Sequence, residues 1–260
     1  REVLGYQHVV LLGWSGGGSL SAFYQSQAER PTVTSSPCGG GPDLTRVSLP
    51  PADALIMMAA HVSRHGTLTE WLDASMIDEC NPTLRDASLD LYGGDINPPF
   101  DDAFLVRYHE AQIARNRKIT SWVKNKLAAL IDAGRAHEEF AFVTHGTMAD
   151  PRWLDPRVDP NDRAPGTCYL GDPRIANNGP VGLARFCTLR SWLSQWSYDD
   201  ANACGPTILA RVTVPVLVVG NSADDACTPQ HTERLFEAIG HTRKAMVTIK
   251  GANHYYMGQP

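Results

Sequence analysis

The sequence predicts an α/β fold: a mostly parallel β-sheet flanked by helices, with a helical segment inserted in the middle of the chain. Three observations carry this. Short aliphatic runs stand at residues 9–12, 54–60 and 214–219, and such continuity fits parallel strands covered on both faces. The first run passes through Gly13-Trp14-Ser15-Gly16-Gly17 straight into a helical pattern with Leu20, Phe23 and Tyr24 on one side. Between His61 and Gly205 the strand signals fade while proline, tryptophan and charge rise.

The first turn reads G-x-S-x-G, from Gly13 to Gly17. Strand, tight turn and helix with a serine at the turn is the nucleophile-elbow pattern. The serine takes a strained backbone, and its hydroxyl stands clear of the sheet edge. Side chains at Gly13 or Gly17 are expected to collide as strand and helix close together. The N–H of Gly16 then points where a carbonyl oxygen gains negative charge. No G-x-G-x-x-G falls on this turn and no Gly-Lys-Ser/Thr follows it, which sets aside dinucleotide and P-loop readings. The helix is expected to run to Glu29, before Arg30-Pro31. Residues 32–51, rich in Pro, Gly, Ser and Thr, read as loop. The start, Arg1 to Tyr6, reads as the tail of a helix.

Within the insertion, residues 67–79 read as a helix, and residues 101–133 give the longest helical pattern. Arg115, Arg117 and Lys118 read as its solvated face. Residues 140–144 suggest a short strand, 151–180 an irregular segment, and 183–196 a helix with Leu189, Trp192, Leu193 and Trp196 on one side. Sheet signals return at 214–220. A helix opened by Thr228-Pro229 and stopped by Gly240 follows, then a last strand at 245–249. The expected organisation is core 1–60, insertion 61–205 and core 206–260.

The chain has 260 residues, 43% of them hydrophobic and 20% charged, enough to bury a sizeable core. A formal net charge of -5 argues against nucleic acid or an anionic membrane surface as partner. No apolar run reaches membrane-spanning length. Six cysteines lie far apart without a C-x-x-C pair, so reduced thiols are expected, and the compartment, left open, leans to the cytoplasm. His61 and His65 are four apart, but no glutamate follows His61. They read as ordinary loop or pocket histidines rather than a metal site.

A serine nucleophile needs a base for its proton, and the base needs an acid to hold its tautomer. In an open parallel sheet such groups come from loops at the carboxyl ends of strands. Two loops qualify: Gly220-Asn221-Ser222-Ala223-Asp224-Asp225 and Gly251-Ala252-Asn253-His254. The chain order is serine, aspartate, histidine, with the acid either Asp224 or Asp225.

With these pieces the chain resembles the α/β-hydrolase superfamily. The resemblance covers roughly the first sixty and last fifty-five residues, and the insertion looks like the family's helical cap. It implies Ser15 as nucleophile, His254 as base and Asp224, the first aspartate of its pair, as acid. Gly16 N–H is expected in the oxyanion hole, and Trp14 and Tyr255 beside the substrate. Neither metal nor organic cofactor is implied. The expected substrate is a small carboxylic ester or lactone. Amidase, aminopeptidase or carbon–carbon hydrolase on the same triad, and a non-catalytic binding protein, are the alternatives. The family also has strands before the elbow strand, one of whose loops gives the second oxyanion N–H, and a helix after its histidine. The resemblance therefore leads us to expect an upstream segment of the same polypeptide that completes the sheet.

Overall fold

A computed structural model describes residues 3–257. Arg1 and Glu2 lie outside them, and residues 3–8 are turn, bend and irregular chain rather than a helix tail. The chain divides into two compact units, one of Arg1–Arg64, Asp159–Ala164 and Asn202–Pro260, the other of His65–Val158 and Pro165–Ala201.

The first unit holds a four-stranded sheet of β1 (Val10–Trp14), β2 (Ala54–Met58), β3 (Val216–Asn221) and β4 (Lys244–Ile249). The strands lie in that order, and every neighbouring pair is parallel. Helices α1 (Gly16–Glu29) and α3 (Pro229–Ala238) pack against it, and α2 (Gly205–Leu209) packs against both of these helices. Leu55, Met57, Val216 and Val218 face these helices and meet Ala22, Leu209, Leu235 and Ile239 in one buried cluster.

The strands are not buried evenly on both faces, as their apolar continuity predicts. Ile56, Met58 and Leu217, which alternate with the core residues, are only half-buried. At the β1 edge Val10 and Leu12 are 51% and 55% exposed. The physical reason is the strand period of two: the core cluster takes alternate residues, and the others point the opposite way.

Parallel pairing brings the carboxyl ends of all four strands to one edge. Trp14 stands beside Met58, Met58 beside Val219, and Val219 beside Val247. Four loops therefore leave the sheet side by side.

In the second unit the long helix spans Asp102–Asp132, with the Asp101 carboxylate accepting the Phe104 N–H at 2.7 Å. Its buried face holds Tyr108, Ile119, Val123 and Leu127. Arg115 departs from the solvated-face reading: it is buried, with its guanidinium on Glu79 and on the carbonyls of Asp73, His145 and Gly146. Five fixed donors let it satisfy an acidic side chain and three carbonyls together. The helix expected over 67–79 ends early, at Trp71, and the strands Met76–Asp78 and Asn81–Arg85 follow as an antiparallel pair. Asp73 accepts from both the N–H and hydroxyl of Ser75, a local bond that competes with helix continuation. Likewise the helix expected over 183–196 begins only at Leu189, because Phe186–Thr188 pairs with Ala141–Val143 and Thr188 caps the helix. Two short helices, Pro151–Leu154 and Pro173–Asn178, occupy the stretch expected to be irregular, each started by an aspartate cap before proline. Trp71, Trp153 and Trp192 are core residues, fully buried. No helix among the described residues is long and apolar enough to cross a membrane.

Candidate active site

Ser15 follows β1 directly and precedes α1. Its backbone is at φ 54°, ψ -126°, a strained region for a residue with a Cβ. The turn is held from both sides: Ser15 N–H donates to the Met58 carbonyl at 3.0 Å, and the Ser15 carbonyl accepts from His61 N–H at 2.9 Å. The glycines divide the work differently from expectation. A Cβ on Gly13 would stand 2.5 Å from the Gly17 carbonyl oxygen, and one on Gly18 would stand 2.4 Å from the Ala60 Cβ. A Cβ on Gly17 meets nothing within 4 Å. Gly13 and Gly18, not Gly17, let strand and helix close. Gly18→Ala is thus expected to destabilise by about 1–3 kcal/mol. Gly17→Ala, at a helical position with room, should be neutral or stabilise by about 0.5–1 kcal/mol. Urea unfolding of the two variants checks the contrast.

Beyond β3 and β4 the sheet ladder continues into the loops. Ser222 N–H donates to the Ile249 carbonyl, Ala223 N–H to Ala252, and the Asn221 side chain to the Asn253 carbonyl. These bonds fix the aspartate loop against the histidine loop. His254 Nδ1 lies 3.1 Å from both carboxylate oxygens of Asp224, and His254 Nε2 lies 3.0 Å from Ser15 Oγ. Asp224 Oδ1 also accepts the N–H groups of Ala226 and Cys227, each at 2.8 Å. Both Asp224 and His254 are buried. An ionised carboxylate only accepts, so it holds the Nδ1–H tautomer and leaves Nε2 to take the serine proton.

These are the sheet and loops of the α/β-hydrolase fold. The fold explains why residues 239 apart in sequence meet: every contributing loop leaves the same sheet edge.

No protein-family model matches the chain, and no curated protein matches it. Solved structures do. Monoacylglycerol lipase of Paleococcus ferrophilus is 15% identical at a TM-score of 0.39, covering 97% of this chain and 62% of that one. An alpha/beta fold family hydrolase from Bacillus anthracis str. Sterne is 14% identical at a TM-score of 0.36, covering 98% and 63%. VinJ is 15% identical at a TM-score of 0.37, covering 97% and 61%. This chain spans about three-fifths of the length of these structures.

Trp14 and Tyr255 lie against the histidine. The Trp14 indole N–H donates to the His254 carbonyl at 3.1 Å, and the Trp14 ring sits 5.3 Å from the imidazole and 5.6 Å from Tyr255. Both are partly exposed. Their contacts hold the histidine loop to the elbow.

Burial, and then the charge of Asp224, push the Asp225 carboxyl up to about 6.

Among the described residues one group could hold a metal ion: Asp224, Cys227 and His254, whose ligand atoms lie within 4.8 Å of one another. A metal there would have to replace the His254–Asp224 pairing just described.

The residue missed from sequence is His61. Of the loop and pocket readings it takes the second: it is buried, and its Nε2 lies 3.2 Å from Ser15 Oγ, a contact the sequence reading did not foresee. The signal was present: His61 follows the β2 carboxyl end just as Asp224 and His254 follow those of β3 and β4.

Proposed function

We propose that this protein is a serine hydrolase that cleaves a small carboxylic ester or lactone. The single observation that carries the reading is the Asp224–His254–Ser15 chain, at 3.1 and 3.0 Å, on an elbow with a strained serine. Ser15 Oγ attacks the acyl carbon while His254 Nε2 takes its proton. Gly16 N–H, at the start of α1, donates to the developing oxyanion. His254 returns the proton to the leaving alkoxide, and the acyl-enzyme is then hydrolysed by water activated by His254. Asp224 keeps the imidazole oriented and stabilises its charged form. Trp14 and Tyr255 border the acyl site. The route draws on no metal or organic cofactor.

A fluorophosphonate probe tests the reading, followed by a panel of p-nitrophenyl esters, lactones and aminoacyl anilides. Labelling of Ser15 with turnover of esters or lactones supports it. Turnover of anilides alone would make the enzyme an amidase, and no labelling at all would leave a binding protein.

The expected upstream segment belongs to the same proposal. Val10 and Leu12 support it: on β1, the outermost strand of the sheet among the described residues, their side chains are half-exposed, and such an apolar face invites association. A chain of these 260 residues alone is expected to bind a hydrophobic dye and aggregate. A cooperative melt of soluble monomer without dye binding would count against the missing strands.

A further inference from the structure

The triad leaves a question of proton count at Ser15 Oγ. Two imidazoles face this one oxygen, His254 Nε2 at 3.0 Å and His61 Nε2 at 3.2 Å. The hydroxyl has a single proton. With His254 Nδ1–H donating to the Asp224 carboxylate, His254 Nε2 is a lone pair and accepts that proton. A lone pair on His61 Nε2 would then oppose the oxygen lone pairs at 3.2 Å with nothing between them. His61 Nε2 must carry a hydrogen.

A donor beside the nucleophile does not assist attack by itself, since it draws on the lone pair that must reach the carbonyl. Its use lies one atom further on. The new oxyanion is bonded to the same carbon as Ser15 Oγ, so it forms within reach of a donor already in contact with Oγ. His61 is also next to Gly16: its Nδ1 comes within 3.6 Å, and Arg64 Nη1 within 3.4 Å, of the point where a Cβ on Gly16 would stand. The His61 ring thus lies beside Gly16, with Nδ1 on the Gly16 side and Nε2 at Ser15 Oγ.

The position of His61 is built in. Ala59 turns the chain at φ 40°, Ala60 packs against Gly18, and His61 N–H is bonded to the Ser15 carbonyl at 2.9 Å. The imidazole lies nearly parallel to that of His254, with planes 21° apart and centroids separated by 6.4 Å. Such fixing is what an oxyanion donor needs, because preorganised dipoles need no rearrangement as charge appears.

We infer that His61 Nε2–H is an oxyanion-hole donor, acting with Gly16 N–H on the tetrahedral intermediate formed at Ser15. The inference rests on the serine-hydrolase reading. The bond from Oγ to the acyl carbon forms as the carbonyl π pair moves onto oxygen, and the serine proton goes to His254. His61 keeps its own proton throughout. When the intermediate collapses, the pair returns, and the alcohol leaves with the proton from His254.

The test uses the full polypeptide, with the proposed upstream segment in place, and p-nitrophenyl butyrate or the best ester of the panel. His61→Ala should lower kcat by about 100- to 1000-fold, the usual loss for one oxyanion donor, with little change in KM. His61→Gln, which restores an N–H donor, should recover part of the loss. Nitrogen-15 NMR of the histidines at neutral pH should show His61 protonated at Nε2 and His254 at Nδ1. A His61→Ala kcat close to wild type, or a neutral His61 protonated at Nδ1, overturns the inference. The NMR arm uses the unmutated protein, so it decides the matter even if the variants do not fold. Failure of the underlying reading looks different: the unmutated protein then neither labels with fluorophosphonate nor turns over ester.

Discussion

Ser15→Ala is expected to lower kcat for an activated ester by about four to six orders of magnitude, and to abolish fluorophosphonate labelling. The change removes one hydroxyl, the oxygen that lies 3.0 Å from His254 Nε2 and is proposed to form the acyl-enzyme. The fold should survive. The N–H and carbonyl of Ser15 that hold the turn are untouched, and alanine meets the same strain at φ 54° as serine does. Pre-steady-state and steady-state hydrolysis, with a thermal melt of each protein, make the measurement. Turnover near the wild-type rate in a preparation free of contaminating esterase would mean a different nucleophile, and the proposed function would fall with it.

The second large effect separates two adjacent carboxylates. Asp224→Asn should cost about four orders of magnitude in kcat, the loss seen when an asparagine holds the histidine in the wrong tautomer. Asp224 accepts from His254 Nδ1 and from two backbone N–H groups, and the amide can reproduce only part of that acceptor set. Asp225→Asn should leave kcat within about an order of magnitude and raise stability at neutral pH. The sign follows from its raised carboxyl, pushed to about 6 by burial and by Asp224. Between about pH 4 and 6 the folded protein holds a proton that the unfolded chain has released, so stability falls as pH rises through that window. Above it the full cost of the buried charge is present, about 1–3 kcal/mol, and asparagine removes it. Melts of the two proteins should therefore coincide near pH 3.5 and separate above pH 6, with the variant the more stable. If Asp225→Asn instead destroys activity while Asp224→Asn spares it, the acid has been assigned one residue too early.

The core was legible because its signals are local. Aliphatic runs mark strands wherever they stand, and the Gly13 to Gly17 turn must be a strand-to-helix corner whatever surrounds it. The rule that parallel strands carry chemistry at their carboxyl ends then selected Ser15, the Asp224-Asp225 pair and His254. The insertion was less legible. The helix ending at Trp71 and the strand at Phe186–Thr188 both overrule helical periodicity through bonds to residues the pattern does not contain. Arg115 read as solvent-facing because a charge on a helix usually is, yet Glu79 and three distant carbonyls bury it.

By itself, then, the sequence determined the order of strands and helices in the sheet unit and singled out three residues whose side chains meet, since covalent neighbours and hydrophobic period set both. It could not determine distance across the fold. Which glycines close the elbow depends on Ala60, forty-two residues beyond Gly18. Which aspartate faces His254 depends on a one-residue turn of the loop backbone. That a second imidazole stands at Ser15 Oγ depends on β1 and β2 lying side by side in register, with the Ser15 carbonyl bonded to the His61 N–H. Sheet pairing, a long-range interaction, converts positions along the chain into neighbours in space, and only the folded structure contains it.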